Sequence, residues 1–161
     1  MLFLKKIINY FLVMTEFEKL SAEQLKTLIQ TENVTVIDTR PSEEYLQVHI
    51  PKSIFVPLMK PFEKRVNYFV DFEQKIVIVA PVDKLEESQT RLAQAGFKNI
   101  IGHLDGGMQT WISSGFETDS IPELDYQDSE DFDHQVEDKV VLDVRDENEW
   151  DETGTYPQAR L

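Results

Sequence analysis

The sequence from Lys75 to Gly107, KIVIVAPVDKLEESQTRLAQAGFKNIIGHLDGG, contains the pattern that decides the fold. An apolar strand at Ile76–Val79 is followed by a short loop, Ala80–Leu85, and then by an amphipathic helix. Gly96 is typical of a left-handed helix cap, and a second apolar strand leads to a Gly-Gly turn. Because the first N–H groups of a helix lack partners within it, this pattern predicts a backbone cradle for an anion.

Short strands and amphipathic helices alternate on both sides of this stretch, and we count five strands in all. The strands with clear limits are Val34–Asp38, Ile54–Pro57, Ile76–Val79 and Asn99–Leu104. The main helices are predicted from the Ser21 capping box to Gln30, from Phe62 to Phe72, from Glu86 to Ala95, and from Met108 and Trp111 to Ser114–Phe116. Aromatic side chains of the second helix are expected in the core. The alternation predicts an α/β fold, with a central mainly parallel five-stranded sheet and helices on both faces.

Composition excludes several classes of function. The chain has 161 residues, no cysteine, a formal net charge of -14 and a pI near 4.5. This acidity argues against nucleic acid and anionic membranes as partners, and weakens the case for small anionic substrates. Without cysteine there are no disulfides, thiolate metal sites or cysteine nucleophiles. His49, His103 and His134 show no ligand spacing, so we predict no metal or cofactor. Nothing requires secretion, and we expect a cytoplasmic protein.

An apolar extension occupies residues 1–15 and contains Lys5 and Lys6. It is too short to span a bilayer, and it lacks the cleavage site of a signal peptide. Three interpretations stay open. The extension is the tail of an upstream domain or an upstream extension with the true start at Met14, a helix packed on the core, or a weak interfacial anchor.

The chain repeats itself after an acidic segment at 119–138, which we interpret as a solvated linker in preference to a binding tail. Val140–Trp150 matches Thr35–Tyr45, and residues 155–159 match 49–53 with one inserted residue. The matched pairs are Asp143 with Asp38, Arg145 with Arg40, Glu149 with Glu44, and Trp150 with Tyr45. The repeat predicts a domain at 16–118 and the truncated start of a second copy at 139–161.

Polar side chains at the end of the Val34–Asp38 strand are candidates for a site. Asp38 and Arg40 are expected to form an ion pair, and fixing the loop is favoured over a catalytic role for them. Pro41 opens a short helix. His49 is interpreted as a hydrogen-bonding residue of its loop in preference to a catalyst.

These motifs, in this order, resemble the rhodanese family. The resemblance rests on Val36–Arg40, Glu44–Tyr45, His49–Ser53, and Leu104–Gly107 with Trp111, and it covers about residues 20 to 116. It implies a rhodanese-like three-layer fold. It carries over a structural motif of eight residues, Asp38, Arg40, Glu44, His49, Pro51, Gly106, Gly107 and Trp111.

The family's chemistry uses a cysteine thiolate just after the central strand, which accepts a sulfane sulfur as a persulfide and passes it on. The resemblance places Ala80 at that position. The degenerate loop is Ala80, Pro81, Val82, Asp83, Lys84 and Leu85. Pro81 removes an N–H, the acidic residues disfavour an anion, and the loop is about one residue short. We therefore predict no catalytic residue and no enzymatic activity for this chain.

The degenerate copy is also similar to the rhodanese repeats fused to metallo-β-lactamase-like persulfide dioxygenases. This resemblance implies a persulfide-handling parent protein. Because Ala80 and Pro81 stand where the family has its thiolate, we predict a structural, regulatory or protein-binding role with a protein partner or neighbouring domain. The alternative is a fragment of a tandem-rhodanese sulfurtransferase. Its catalytic cysteine would lie roughly 40 residues beyond Arg145, by analogy with the spacing from Arg40 to Ala80.

Overall fold

The structure, a computed structural model, describes residues 17–123, 140–154 and 159–160. It divides the chain into two compact units, Met1–Pro122 and Glu123–Leu161. The predicted N-terminal extension and most of the predicted linker lie outside the described residues. Within the described parts, no helix has both the length and the apolar character needed to cross a membrane.

Strands and helices alternate through the first unit. The strands are β1 (Glu18–Leu20), β2 (Val34–Asp38), β3 (Ile54–Phe55), β4 (Lys75–Val79) and β5 (Ile100–Leu104). The helices are α1 (Ala22–Thr31), α2 (Ser42–Gln47), α3 (Phe62–Phe69), α4 (Leu85–Ala95) and α5 (Gly107–Ser113). A 3-10 turn at Val82–Lys84 precedes α4. The predicted capping box is confirmed, since the Ser21 N–H donates to Gln24 Oε1 at 2.7 Å and the Gln24 N–H donates to Ser21 Oγ at 3.2 Å.

The five strands form one sheet in the order β1-β5-β4-β2-β3, and every pairing is parallel. This confirms the predicted five-stranded parallel sheet. Strand β1 had no clear limits in the sequence, because it is three residues long and only Leu20 is buried. It reaches β5 across Gly102, where an added Cβ would lie 2.3 Å from the Glu18 carbonyl oxygen. A glycine is therefore needed for this close approach.

The core occupies both faces of the sheet, because side chains alternate along β4. Val77 and Val79 belong to one buried cluster, which includes Leu25 of α1 and Trp111 of α5. Ile76 and Ile78 belong to the other cluster, which α3 and α4 cover. This arrangement confirms helices on both faces and explains why Ile76–Val79 of β4 is apolar without interruption.

The sequence predicted that the aromatic residues of the helix at Phe62–Phe72, which is α3 in the structure, all lie in the core. This prediction is wrong. Helix α3 ends at Phe69, and its Phe62 and Val66 are buried one turn apart. Tyr68 and Phe69, at the end of the helix, are 82% and 64% exposed. Phe72 follows the helix, and its ring is tilted by 44° against that of Phe97 with 5.0 Å between the centroids. Phe69 lies seven positions after Phe62, so helical spacing alone would place it on the buried face, and its exposure is set by what surrounds the end of the helix.

The third strand is shorter in the structure than predicted. Strand β3 ends at Phe55 and not at Pro57, which lacks the N–H that a longer ladder would need. At the other end of the unit, Asp119 pairs with His49, and the Ile121 N–H donates to the Leu46 carbonyl at 2.8 Å. These residues at the start of the predicted linker are thus hydrogen-bonded to the first unit. The domain limits themselves stay a prediction.

The second unit repeats local geometry of the first. Helix α6 (Glu147–Thr153) follows Asp143 and Arg145, as α2 follows Asp38 and Arg40. Arg145 Nη2 donates to Asp143 Oδ2 at 2.7 Å and to the Gly154 carbonyl at 2.8 Å. The hydrogen bond from Arg145 lowers the pKa of Asp143 to about 2. A parallel bridge between Leu142 and Arg160 corresponds to the pairing of β2 with β3.

Candidate functional site

Three segments meet beyond the carboxyl ends of the central strands. Arg40 follows β2, Ala80 and Pro81 follow β4, and Gly106 and Gly107 follow β5. All five line one cavity of about 340 Å³. Ligands of open parallel sheets bind at this edge, so the cavity is the candidate functional site.

The structure brings together only part of the predicted site. The predicted residues that line the cavity are Arg40, Glu44, Ala80, Pro81, Val82, Gly106 and Gly107. Those outside its lining are Asp38, His49, Pro51, Asp83, Lys84, Leu85 and Trp111. Of the predicted residues, Arg40, Glu44, the start of the degenerate loop and the Gly-Gly turn therefore line the cavity together.

Five further lining residues were not predicted, namely Gln47, Val48, Met108, Gln109 and Ile112. Several of them lie three or four positions from another lining residue, which is the spacing of side chains on one face of a helix. Gln47 and Val48 lie three and four positions after Glu44, and Ile112 lies four positions after Met108. Extending the predicted site from Glu44 along one helical face would therefore have included Gln47 and Val48.

Arg40 supplies positive charge to the cavity, but its guanidinium is engaged by the protein's own oxygens. Its Nε lies 3.0 Å from Asp38 Oδ1, and its Nη2 lies 2.8 Å from Asp38 Oδ2. Nη2 also donates to the Val48 carbonyl at 2.7 Å, and Nη1 lies 3.6 Å from Glu44 Oε2. The predicted ion pair is present and buried. An incoming anion would have to compete with two carboxylates for this charge.

Ala80 lies at the base of the loop and is 4% exposed. It belongs to the same buried cluster as Ile76, Ile78 and Leu92. The carbonyl of Ala80 faces the Gly-Gly turn, since a Cβ added to Gly107 would lie 3.8 Å from that oxygen. The position that the resemblance assigns to a nucleophile therefore contributes to the core as well as to the cavity.

The predicted anion cradle contains internal hydrogen bonds and acidic side chains. The Lys84 N–H donates to the Pro81 carbonyl at 2.9 Å and closes the 3-10 turn. Glu86 and Glu87 occupy the first turn of α4, where carboxylates stabilise the positive end of a helix dipole. Lys84 Nζ forms an ion pair with Glu87 at 3.1 Å. The partial positive charge at the N-terminus of α4 is thus already balanced by carboxylates of the protein.

A buried polar layer connects the loop to the sheet. Ser88 donates to the Lys84 carbonyl at 2.8 Å and lies 3.2 Å from the Thr39 hydroxyl. Behind it, Gln89 Nε2 and His103 Nδ1 are 3.5 Å apart. Burial lowers the pKa of His103, because a charged imidazolium loses hydration there. These contacts hold the start of α4 against β2 and β5.

His49 lies in the loop between α2 and β3. Its ring stacks on Tyr45 with 4.0 Å between centroids, and its Nδ1 lies 2.8 Å from the Tyr45 carbonyl oxygen. The Tyr45 hydroxyl donates to the Ser53 carbonyl at 2.9 Å, across the turn that contains Pro51. Trp111 is buried and donates from Nε1 to the Glu117 carbonyl at 2.9 Å. These contacts are structural ones.

No group of three or more histidine, aspartate or glutamate side chains is placed to hold a metal ion among the residues that the structure describes. His49 and His103, the two histidines among the described residues, are therefore not part of such a group.

Comparisons with known proteins identify relatives of the first unit. The family described as "Rhodanese-like domain" matches residues 21–114. The Bacillus subtilis protein named "Putative sulfur carrier protein YrkF" is 29% identical over 94 residues, which are 58% of this chain and 50% of that protein. The chain thus spans about half the length of this curated relative.

Solved structures show the same fold at low sequence identity. The Alr3790 protein from Anabaena sp. has a TM-score of 0.58 at 20% identity, over 68% of this chain and 97% of the other. Thiosulfate sulfurtransferase from Pseudomonas aeruginosa has a TM-score of 0.55 at 20% identity, over 88% of this chain and 33% of the other. Similarity at this level shows the fold alone.

Proposed function

Because the chain belongs to the rhodanese-like domain family, we propose that its first unit is a non-catalytic member with a structural, regulatory or protein-binding role. The protein in which it acts would handle sulfur or persulfide. The name of the Bacillus subtilis relative, a sulfur carrier, supports this setting. We propose further that the parent protein is a fusion of rhodanese repeats with a persulfide dioxygenase, since the first unit resembles the repeats of such fusions.

The observation that carries the proposal is Ala80 at the nucleophile position of a chain without cysteine. A methyl group cannot attack a sulfane sulfur or hold it as a persulfide. Two features of the site support the same conclusion. Arg40 is compensated by Asp38 and Glu44, and Pro81 offers no N–H to an anion.

Sulfur transfer from thiosulfate to cyanide by the purified chain is the direct test. We expect no transfer above the rate without protein. We also expect Ala80→Cys to stay inactive, because Pro81, the acidic loop and the engaged Arg40 remain. Transfer by the unmodified chain would overturn the proposal, whereas transfer only by Ala80→Cys would show that the cradle is intact.

The geometry of the second unit favours a second candidate function. The Asp143–Arg145 pair, α6 and the Leu142–Arg160 bridge follow the order of the corresponding features in the first unit. A tandem-rhodanese sulfurtransferase would continue into a strand and a cysteine loop roughly 40 residues beyond Arg145, the spacing from Arg40 to Ala80. Sequencing the gene on both sides of this segment tests it, since a stop codon after Leu161 would exclude that cysteine.

A further inference from the structure

The cavity is lined both by apolar side chains and by the carboxylate of Glu44. Met108 and Ile112 of α5 and Val82 of the loop supply the apolar side chains. Val82 is 78% exposed although it is aliphatic, and Ile112 is also exposed. Exposed aliphatic side chains that line a cavity beside polar groups are typical of a binding surface.

The charges at the cavity favour a cation. Arg40 is the one basic residue in the lining, and three oxygen atoms from Asp38 and Val48 already lie within 3.1 Å of its Nε and Nη2. Glu44 Oε2 lies 3.6 Å from Arg40 Nη1, and the Glu44 side chain is 54% exposed, so this carboxylate is less engaged than that of Asp38. A positive group entering beside Glu44 would meet a carboxylate that water still reaches.

From this arrangement we propose that the cavity receives an apolar side chain followed by a basic one, presented by a segment of a protein partner. The apolar side chain would pack on Met108, Val82 and Ile112, and the basic group would pair with Glu44. The net charge of -14 would attract a basic segment over longer distances. This inference names the partner chemistry of the proposed non-catalytic site and rests on that proposed function.

The test uses the full chain and three small probes, followed by amide chemical shifts in NMR spectra. The probes are N-acetyl-Leu-Arg-amide, N-acetyl-Leu-Glu-amide and thiosulfate. We expect the Leu-Arg probe to shift the amides of Val82, Met108 and Ile112 with an affinity of about 1–10 mM, as suits one anchoring side chain and one exposed ion pair. The Leu-Glu probe is expected to bind several-fold more weakly, and thiosulfate to leave these amides unshifted.

Two pairs of variants locate the interaction. Glu44→Gln should weaken binding of the Leu-Arg probe about two- to five-fold, the range of an exposed ion pair. Glu43→Gln removes a neighbouring exposed carboxylate outside the cavity lining and should leave binding unchanged. Ile112→Ser should weaken binding of both dipeptides, whereas Ile121→Ser, which changes an exposed isoleucine elsewhere, should not.

Three outcomes would overturn the inference. The first is that the Leu-Arg probe shifts no cavity amide up to about 20 mM, a concentration well above the dissociation constant expected for such a contact. The second is equal binding of the two dipeptides. The third is stronger binding of thiosulfate than of either dipeptide. None of these three outcomes would change the result expected in the sulfur-transfer assay. Failure of this inference is thus distinguishable from failure of the proposed function, which the thiosulfate assay measures separately.

Discussion

Replacing Ala80 by cysteine tests whether the loop can still stabilise an anion. The new thiol would sit where the side chain is 4% exposed, in a cluster with Ile76, Ile78 and Leu92. Burial in apolar surroundings raises the pKa of a thiol. The nearby guanidinium of Arg40 offers little compensation, because Asp38 and Glu44 already share its charge.

The expected magnitude follows from these contacts. An unperturbed thiol has a pKa of about 8.5 and is a few per cent thiolate at pH 7. Fully buried groups shift by up to 3–5 units, and hydrogen bonds from the loop N–H groups would offset part of that. We expect a net rise of at least about one unit, which is about 1.4 kcal/mol and a tenfold smaller thiolate fraction at pH 7.

The assay is the rate of alkylation by iodoacetamide as a function of pH, followed by mass spectrometry. The chain has no other cysteine, so the reaction reports one position. Val82→Cys is the matched control, because it lies on the same loop and Val82 is exposed. We expect Ala80→Cys to react at least about tenfold more slowly at pH 7 and to have the higher midpoint. Thermal melts by circular dichroism verify that both variants are folded, since an unfolded chain would expose its thiol.

A pKa of Ala80→Cys at or below that of Val82→Cys would refute this reasoning. It would mean that the loop N–H groups outweigh burial and that the cradle survives without its nucleophile. The sulfur-transfer assay on the same variant would then become the decisive measurement.

Three further predictions concern the scaffold. Gly102→Ala should destabilise the first unit by about 1–3 kcal/mol in urea unfolding, because the new methyl group would overlap the Glu18 carbonyl and separate β1 from β5. Stability should fall as the pH falls below the ordinary histidine pKa of 6.5, because the lowered pKa of His103 lets the unfolded chain take up the proton first. Titration by NMR should give Asp143 a pKa of about 2, and Arg145→Gln should return it towards the ordinary 3.8.

Each of these predictions has its own control. Unchanged stability of Gly102→Ala would mean that β1 can move away without cost. His103→Gln should reduce the slope of stability between pH 6.5 and the lower pKa of the folded state, and an unaltered slope would assign it to other groups. An ordinary pKa for Asp143 in the unmodified chain would contradict the ion pair of the second unit.

The sequence alone determined the elements whose signal is local. The capping box at Ser21, the left-handed cap at Gly96 and the apolar runs of β2 and β4 depend on neighbouring residues and period, so they could be read directly. Short parallel strands separated by helices then leave few topologies. The fold class followed from these signals, whereas the family and the significance of Ala80 followed from the resemblance of motifs such as Val36–Arg40 and Leu104–Gly107.

Tertiary structure decided the rest. Strand β1 exists because Gly102 lets its backbone approach β5, and three residues carry too little pattern to show this. Tyr68 and Phe69 are aromatic yet exposed, whereas Phe62 and Val66 of the same helix are buried. Hydrophobicity predicts burial on average, whereas the elements that the fold packs around each residue decide its own burial.

The character of the cavity also came from the tertiary structure. Residue types could show that this sequence contains no cysteine and therefore no thiol. They could not show that Met108 and Ile112 line one cavity with Glu44, or that Asp38 and the Val48 carbonyl bind the Arg40 guanidinium. Chemistry that depends on one atom is determined by sequence, but a binding surface depends on distances between strands and helices far apart in the chain, which only folding sets.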